Sequence, residues 1–365
     1  MPMNRFDRQI ILKDFGQNAQ LKLQKAKVLV VGAGGLGCPV LLYLAAAGIG
    51  KITVVDGDVV QESNLNRQVL FGEKDLGKNK AIAAKEIISQ KYSDIEIIAV
   101  TEFITTTNIV ALVQSHDLVI DGTDNFATRY LINDACVLLA KPLVFGAIYQ
   151  NEGQVALFNV SDANGITTNY RDVFPNPPQE NQIPNCNETG VLGLLPGLIG
   201  VMMATEAIKH IAGYGKTLIN KLLIYHLLST SFHEIAIDKH PHASSLIPKT
   251  ITELETSNYG FQCAVSEEIS WWEAISIYLQ NEITTVFIDV REIHEQPKLS
   301  DYPTTFIPLK YLSDKIESVT AYSNIFVFCQ SGVRSKQAAM ELALHFPDKN
   351  IVAIRGGMNT FREKK

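Results

Sequence analysis

The sequence has few cysteines, no excess of basic residues and no long uninterrupted apolar run. Five scattered cysteines among 365 residues argue against a disulfide framework and for a reducing, cytoplasmic environment. A net charge of −6 gives no electrostatic case for nucleic acid or an anionic membrane as a partner. The longest apolar run, Val191–Ala204, is too short to cross a bilayer and is interrupted by three glycines and a proline. We predict that this stretch is a buried loop leading into a core helix, Gly200–Ala212. The charged N-terminus lacks the apolar core of a signal peptide, so we expect no export.

Internal repeats and low-complexity tracts are also absent, and 46% of the residues are hydrophobic. A chain of this length and composition is expected to form two domains, each with its own core. Strand and helix patterns alternate over residues 1–240 and again over residues 266–365, whereas residues 241–265 show no sustained pattern. We therefore predict an α/β protein: a Rossmann-like N-terminal domain with a mainly parallel sheet, a linker, and a small C-terminal α/β domain.

The first domain is organised around Val28–Gly37, which reads VLVVGAGGLG. Its β-favouring residues run into a glycine-rich turn and then into a helix, and Lys51–Asp56 forms the next strand of a βαβ unit. Glycine permits the tight turn and lets a phosphate approach backbone N–H groups at the start of the helix. The pattern therefore predicts a nucleotide site, which by itself most often means NAD or FAD; its glycines are Gly32, Gly34, Gly35 and Gly37.

A polar cluster after the second strand changes the expected nucleotide. Asp56 and Asp58 are followed by SNLNRQ, which contains Asn64 and Arg67, and Lys80 opens the next helix. Cations and amides close to a phosphate loop suit a triphosphate, because charge that develops during substitution needs fixed positive partners.

A carboxylate that follows a later strand suits a metal ion bound to those phosphates. Asp124 comes directly after the predicted strand Leu118–Thr123, at a strand end where it can hold Mg²⁺. The same TDN sequence is also a helix N-cap signal, so Asp124 has two possible roles at this stage.

Six motifs occur in order over residues 4–240: RFDRQI, GAGGLG, D-x-D-x(5)-N-L-x-R-Q, GKNKA, TDN and PNC-x-x-x-GVLG. Together they resemble the MoeB and ThiF adenylyltransferases, relatives of ubiquitin-activating enzymes that act on small ubiquitin-like sulfur carriers. FPNPP and GVLGLLPG resemble the molybdopterin branch more than the thiamine branch. The resemblance implies that the carboxylate of a carrier's C-terminal Gly-Gly attacks the α-phosphate of ATP, which releases pyrophosphate and leaves an acyl-adenylate.

The resemblance also implies roles for individual residues. Asp56, with Asp58 beside it, binds the ribose, and Asp124 holds the Mg²⁺. The phosphates are contacted by Asn64, Arg67 and Lys80. A partner subunit supplies an arginine from the RFDRQ segment, Arg8, with Arg5 as a further candidate, so a homodimer is expected. Cys186 stands where the family has its reactive cysteine, although a lone cysteine is by default a small buried apolar residue.

Family members commonly hold a structural zinc with two C-x-x-C pairs, and this chain has no C-x-x-C pair. The positions of the first pair read Asn169 and Asp172, and the region of the second reads HPHASS, with His240 and His242. Since two histidines are too few to replace four thiolates, we predict no structural zinc.

The second domain contains IFVFCQSGVRS, in which Cys329 ends a predicted strand and Arg334 starts a helix. Loop N–H groups and the arginine favour a thiolate or persulfide at this sulfur. With DVRE at Asp289–Glu292, IPL at Ile307–Leu309 and RGGM at Arg355–Met358, the segment resembles the rhodanese sulfurtransferase domain. A cysteine phosphatase loop has a similar build but commonly one more residue between cysteine and arginine.

The two domains are consistent with consecutive steps on one carrier protein. Adenylation activates its C-terminal carboxylate, and a Cys329 persulfide, loaded by a donor such as a cysteine desulfurase, displaces AMP. Cys186 is a candidate to resolve the resulting acyl-disulfide and release a thiocarboxylate. We expect molybdopterin synthesis to be the pathway. Thiamine or another sulfur pathway, a non-catalytic carrier-binding scaffold and, more remotely, an NAD-dependent oxidoreductase remain open.

Overall fold

The computed structural model describes residues 5–177, 190–259, 268–346 and 349–361. The chain divides into two compact units, Met1–Tyr259 and Gly260–Lys365. The division falls inside the segment that the sequence predicts as a linker. Each unit contains its own β-sheet, as the predicted α/β fold requires.

The first unit is built on an eight-stranded sheet with the order β3-β2-β1-β4-β5-β6-β7-β8. Strands β1 to β5 are parallel, whereas β6, β7 and β8 continue the sheet as an antiparallel meander. The parallel part is Rossmann-like, since helical crossovers connect its strands. The strands are β1 (Lys27–Val31), β2 (Lys51–Val55), β3 (Glu96–Val100), β4 (Leu118–Asp121), β5 (Leu143–Tyr149), β6 (Glu152–Phe158), β7 (Lys221–His226) and β8 (Ser231–Ala236).

Helices cover the parallel part of this sheet, which explains why β1 and β4 are continuous apolar runs rather than alternating ones. One large core joins these strands to α2, α3, α4 and α8. The helices are α1 (Asp7–Ile10), α2 (Gly16–Lys25), α3 (Gly37–Ala47), α4 (Lys80–Lys91), α5 (Ile109–Gln114), α6 (Phe126–Leu138), α7 (Tyr170–Val173), α8 (Leu194–Ala212) and α9 (Ile251–Thr256).

Helix α8 begins six residues before the predicted start at Gly200, so the prediction of a loop over that stretch is wrong from Leu194 onward. Pro196 is tolerated because it occupies the first turn, where its missing N–H is not needed. Gly200 allows close packing on α3, since a Cβ there would lie 2.4 Å from the carbonyl oxygen of Leu36. The helix is long and apolar enough to cross a membrane by composition, but here it packs in the core through Met203.

Several short helices were not predicted because they span too few residues to show a period. Helices α1, α5 and α7 have four to six residues each. Helix α9 lies within residues 241–265, where the sequence shows no sustained pattern; it contacts α6, and its Leu254 is buried.

The second unit contains a parallel four-stranded sheet with the order β10-β9-β11-β12. One face packs on α11 through residues such as Ile288 and Leu342, and the other packs on Trp271 of α10 through Phe287 and Phe326. The sheet is therefore covered on both sides. Its elements are α10 (Trp271–Gln280), β9 (Thr285–Asp289), β10 (Thr304–Phe306), β11 (Asn324–Phe328), α11 (Val333–His345) and β12 (Asn350–Ala353).

Candidate functional site

A cavity of about 850 Å³ opens where strands β1, β2 and β4 of the first unit end. Ligands of open α/β sheets characteristically bind at this edge, beside a reversal of strand order. Here the order reverses between β1 and β4. The lining residues that the sequence had singled out are Gly32, Gly34, Gly35, Asp56, Asp58, Asn66, Arg67, Gln68, Lys80 and Asp124.

The glycine loop between β1 and α3 leaves no space for side chains at its first position. Gly32 has a φ of +89°, and a Cβ there would lie 2.9 Å from the carbonyl oxygen of Gly122. Gly34 and Gly35 line the cavity, and Gly37 is the first residue of α3. Bare backbone and the N-terminus of an eleven-residue helix together suit an anionic ligand.

Asp56 connects the second strand to the glycine loop. Its two carboxylate oxygens accept hydrogen bonds from the N–H groups of Ala33, at 2.7 Å, and Asp58, at 2.9 Å. Burial raises the pKa of Asp56, and the nearby charge of Lys80 partly opposes that rise. The carboxylate therefore holds the loop in shape while it faces the cavity.

Lys80 and Arg67, the two cations that the sequence singled out, lie in the wall of the cavity. The Nζ atom of Lys80 lies 3.0 Å from Oδ2 of Asp58, and the lysine side chain is 8% exposed while that of Asp58 is 58% exposed. The Nη1 atom of Arg67 donates to the carbonyl oxygen of Ser63 and to Oδ1 of Asn66, both at 2.9 Å. Because the carboxylate partner of Lys80 is largely solvated, the lysine can also bind a phosphate in the cavity.

Asn64 has a different position from these cations. Its Oδ1 accepts from the N–H of Gln61 at 3.3 Å and caps a short 3-10 turn, and the side chain is not part of the cavity lining. Asn66 and Gln68 line the cavity instead. Gln68 is buried, and its Oε1 has no hydrogen-bond partner among the described residues.

Asp124 lies in the loop between β4 and α6 and lines the cavity. The N-cap of α6 is Asn125, whose Oδ1 accepts from the N–H of Thr128 at 2.8 Å, so the cap role considered for Asp124 belongs to its neighbour. Thr123 donates to the buried Asp121 through its N–H and its hydroxyl, at 2.9 and 2.6 Å. An exposed carboxylate opposite a phosphate loop fits Mg²⁺, which usually takes one or two protein carboxylates plus phosphate oxygens.

Two cavity residues were missed by sequence reasoning. Arg129 of α6 is buried, donates from Nη2 to the carbonyl oxygen of Thr123 at 2.9 Å, and its Nε has no partner among the described residues. Phe103 follows β3 and lies so close to Gly57 that a Cβ there would be 2.7 Å from its ring. An arginine among the apolar positions of α6 was the available signal for the first; for the second there was none.

The two N-terminal arginines differ in their surroundings. Arg5 pairs with Asp94 at 2.6 Å and stacks over the ring of Tyr92, with 4.3 Å from Cζ to the ring centroid. Arg8 of α1 is exposed and has no ion pair within the described part of the chain. Arg8 is therefore the arginine that remains available to another molecule. Cys186, the candidate reactive cysteine, lies outside the described residues.

Hydrogen bonds occupy the positions where the family resemblance implies zinc ligands. The Oδ2 atom of Asp172 accepts from the N–H and Nδ2 of Asn169, at 2.7 and 2.8 Å, and its Oδ1 accepts from the N–H of His240 at 2.9 Å. Within the ranges that the structure describes, no three His, Cys, Asp or Glu side chains are grouped to hold a metal ion. These residues do not fit a thiolate zinc site.

A second site lies at the end of β11 in the second unit. Cys329 is buried, and its Sγ accepts a hydrogen bond from the N–H of Gly332 at 3.2 Å. Helix α11 begins at the next residue, so its N-terminus also faces this loop. The hydroxyl of Ser335 lies 3.7 Å from the same sulfur. The predicted strand–loop–helix environment of the cysteine is present.

Arg334 is held by a partner that sequence reasoning missed. Its Nη1 and Nη2 contact the two carboxylate oxygens of Glu295 at 2.6 and 2.7 Å. This pairing lowers the pKa of Glu295 to about 2. The sequence predicts that the positive charge of Arg334 stabilises Cys329. In the structure this charge is also paired with the carboxylate of Glu295, 39 residues away in the chain.

Arg291 supports the same loop from the other side. It is fully buried, pairs with Asp289 at 2.9 and 2.8 Å, and donates from Nη1 to the side chain of Gln330 at 3.1 Å. The residue after Cys329 is thus anchored to the end of β9.

The first unit has a Rossmann-like sheet with a cation-lined cavity where the strand order reverses. The second unit has a parallel sheet with a cysteine loop. Together these features define a nucleotide-binding enzyme with a second reactive centre. The chain belongs to the ThiF family, which residues 6–246 match.

Curated relatives extend over both units. The chain is 40% identical over 344 residues to the probable adenylyltransferase/sulfurtransferase MoeZ of Mycobacterium tuberculosis, covering 92% of this chain and 86% of that protein. It is 36% identical over 383 residues to the adenylyltransferase and sulfurtransferase MOCS3 of Anopheles gambiae, covering 98% and 86%. It is also 46% identical over 240 residues to the sulfur carrier protein adenylyltransferase of Thermus thermophilus, covering 66% of this chain and 89% of that one.

Among solved structures, Escherichia coli MccB with ATP has a similar fold. Its TM-score is 0.56 at 25% identity, covering 66% of this chain and 73% of that chain. These comparisons bear out the predicted enzyme class, an adenylyltransferase joined to a sulfurtransferase domain, and favour it over an oxidoreductase.

Proposed function

We propose that this enzyme adenylates the C-terminal glycine of a small ubiquitin-like sulfur carrier and then converts the adenylate to a thiocarboxylate. We assign adenylation to residues 1–240 and sulfur transfer to residues 266–365. The proposal rests mainly on the composition of the cavity wall, which combines Lys80 and Arg67 with the bare backbone of Gly34 and Gly35. The relatives named as adenylyltransferase and sulfurtransferase, which span both units, support it.

In the first step, a carboxylate oxygen of the carrier attacks the α-phosphorus of ATP. The bond to the bridging oxygen breaks, and pyrophosphate leaves with the electron pair. No protein nucleophile is required, so Lys80 and Arg67 act by positioning the phosphates and neutralising charge as it develops. Asp56 orients the ribose, with Asp58 beside it. Asp124 would hold Mg²⁺, which supplies further neutralisation of the phosphate oxygens when bound.

In the second step, the terminal sulfur of a Cys329 persulfide attacks the carrier's acyl carbon, and AMP leaves. This forms an acyl-disulfide with Cys329. A second thiolate, for which the sequence supplies Cys186, attacks the sulfur of Cys329, so the thiocarboxylate leaves and a protein disulfide forms. Two electrons from an external thiol reductant restore the two cysteines. The donor that loads Cys329 is a protein persulfide such as that of a cysteine desulfurase.

The pathway follows from the carrier that the enzyme accepts. The relative named as a probable molybdopterin-synthase adenylyltransferase in Porphyra purpurea, 34% identical over 358 residues, supports the molybdopterin branch over the thiamine branch. The reduced cysteines Cys38, Cys136 and Cys329 are consistent with a cytoplasmic enzyme.

Mass spectrometry of candidate carriers tests the function directly. Molybdopterin-type and thiamine-type carriers ending in Gly-Gly are incubated with the enzyme, ATP, Mg²⁺ and a persulfide donor. We expect replacement of one C-terminal oxygen by sulfur in the molybdopterin-type carrier, dependent on ATP. An unmodified C-terminus in every carrier, with no AMP formed, would contradict the proposal.

Mixing two inactive variants tests the proposed homodimer. We expect Arg8→Ala and Lys80→Met each to abolish ATP–pyrophosphate exchange, because the arginine completes the site of the partner subunit. After refolding or prolonged exchange of subunits, an equal mixture should recover about a quarter of wild-type activity, since half of the dimers are mixed and each has one intact site. If a sample shown to contain mixed dimers recovers no activity, Arg8 acts in the site of its own subunit. If Arg8→Ala alone keeps near-normal exchange, Arg8 has no part in the mechanism.

We also propose that the enzyme holds no structural zinc. Hydrogen bonds of Asp172 instead connect the two segments in which the family resemblance implies zinc ligands. Elemental analysis of protein purified without added metal should find no stoichiometric zinc. Asp172→Ala should lower the free energy of unfolding by about 2 kcal/mol, because the backbone N–H groups of Asn169 and His240 lose a charged acceptor. Denaturant titration measures this loss, with Asp238→Ala, at an exposed position two residues before His240, as the control. One zinc per chain would overturn the proposal.

A further inference from the structure

We propose that Glu295 makes Cys329 selective for persulfide sulfur donors over small dianions such as thiosulfate, by neutralising Arg334. The inference rests on the sulfurtransferase function proposed for the second unit and specifies its donor class.

The contact between these residues has the geometry of a strong ion pair. Both terminal nitrogens of Arg334 contact both carboxylate oxygens of Glu295, at 2.6 and 2.7 Å. The side chains are 35% and 22% exposed, so water screens the pair only partly. A planar guanidinium that is held at two points by a carboxylate has its best anion-binding edge occupied.

Glu295 is itself held in place, which favours this pairing over a transient one. Its Oε1 also accepts a hydrogen bond from the N–H of Glu292 at 2.8 Å. Arg291, the residue before Glu292, lies close enough to stabilise the charge of Glu295. The carboxylate is therefore positioned by the turn that follows β9. Only a change at Glu295 itself frees the arginine without disturbing the cysteine loop.

Two neighbouring cations, Arg291 and Lys310, are also paired. Arg291 is buried against Asp289 at 2.8 Å, and Lys310 pairs with Glu292 at 3.1 Å. Sγ of Cys329 accepts a hydrogen bond from the uncharged N–H of Gly332, and the guanidinium of Arg334 lies close enough to interact with the same sulfur. The charge of Arg334 therefore acts on the sulfur directly, and Glu295 offsets that charge.

The two donor classes place different charges in this environment. With thiosulfate, the Cys329 thiolate attacks the outer sulfur, the sulfur–sulfur bond breaks, and sulfite leaves as a dianion with the electron pair. With a persulfide R–S–S⁻, the thiolate attacks the terminal sulfur, and R–S⁻ leaves with the electron pair. Both steps leave a persulfide on Cys329. Thiosulfate gains more than a singly charged persulfide from an unpaired cation, so neutralising Arg334 disfavours thiosulfate.

Glu295→Gln tests this directly, because the amide keeps the shape of the side chain and removes its charge. The loading of Cys329 is followed by quenched-flow mass spectrometry with thiosulfate and with cysteine persulfide. We expect the thiosulfate-to-persulfide rate ratio to rise about tenfold, the size expected for a dianion a few ångströms from a freed charge in a solvated pocket. Glu292→Gln, with the same charge change three residues away, should leave the ratio within twofold of wild type.

The double variant Glu295→Gln/Arg334→Gln should return the ratio to the wild-type value, since the freed charge is then absent. A ratio that does not change in Glu295→Gln, or that changes equally in Glu292→Gln, would overturn the inference. A wild-type enzyme that loads sulfur from neither donor would instead refute the proposed function.

A second measurement does not depend on sulfur transfer. The rates of Cys329 alkylation by iodoacetate, an anion, and by neutral iodoacetamide are compared by peptide mass spectrometry. The iodoacetate-to-iodoacetamide ratio should rise several-fold in Glu295→Gln and not in Glu292→Gln. An unchanged ratio would show that Glu295 does not control the charge near the sulfur.

Discussion

Lys80→Met is expected to lower ATP–pyrophosphate exchange by about 10²–10³-fold, the usual effect of removing one preorganised group that stabilises transition-state charge. The lysine side chain is almost fully buried in the cavity wall, where its charge is weakly screened. Its only ion-pair partner in the described structure, Asp58, is largely exposed. Methionine preserves the apolar stem and removes the charge alone. Exchange assays with a Gly-Gly carrier and saturating ATP measure the loss.

Lys78→Met provides the matched control. Lys78 lies two residues earlier on the same approach to α4, but its partners are Glu86 at 2.9 Å and Asp75 at 3.5 Å, and its side chain is 42% exposed. We expect its exchange rate to stay within twofold of wild type. Both variants should unfold at nearly the same temperature as wild type, because each of these ion pairs has at least one largely exposed member and such pairs contribute little to stability. An equal loss of activity in both variants would show that Lys80 has no special role at the phosphates.

The secondary structure of the first unit follows closely from the sequence because its hydrophobic patterns are clear. Strands β1, β2 and β4 are buried on both faces and read as apolar runs, and the glycine loop lies where its pattern predicts. The start of α8 did not follow, because glycine and proline at Pro196 and Gly200 look like loop signals in isolation. The helix accommodates these two residues partly because it packs closely on a neighbouring helix. A local sequence pattern gives no information about that neighbour.

The candidate site was predictable in its location more than in its contacts. Lys80, Arg67 and Asp124 all line the cavity, since the carboxyl ends of parallel strands meet at one edge. The sequence could not distinguish Asn64 from Asn66, because Asn64 ends a 3-10 turn and Asn66 lies just beyond it, and only the second side chain faces the cavity. It also could not reveal partners that are distant in the chain.

The partner of Arg334 illustrates that second limit. Glu295 lies beyond the DVRE motif in a turn without regular structure, 39 residues before the arginine. Only the pairing of β9 with β11 brings the two segments together. Sequence reasoning therefore identified a cation near Cys329, whereas the structure contains a neutralised pair. The neutralised pair supports the proposed persulfide donor class, which agrees with the donor expected from the sequence.

Cys329→Ser is expected to eliminate sulfur transfer while ATP–pyrophosphate exchange stays within twofold of wild type. Serine fits the buried position, but its hydroxyl cannot carry a sulfane sulfur, so no persulfide forms. Adenylation should persist because the cavity that we assign to it is lined by residues of the first unit. The carrier should then be converted to its adenylate and remain without sulfur.

The assay follows three products in one reaction: AMP released, carrier adenylate and carrier thiocarboxylate. Cys263→Ser, the same substitution at the other cysteine of the second unit, serves as the control and should form thiocarboxylate normally. Sulfur transfer that survives Cys329→Ser would mean that a free persulfide reaches the adenylate without the second unit. Loss of exchange as well as transfer would mean that the cysteine loop is needed for adenylation. Retention of exchange with loss of transfer identifies Cys329 as the residue through which sulfur reaches the activated carboxylate.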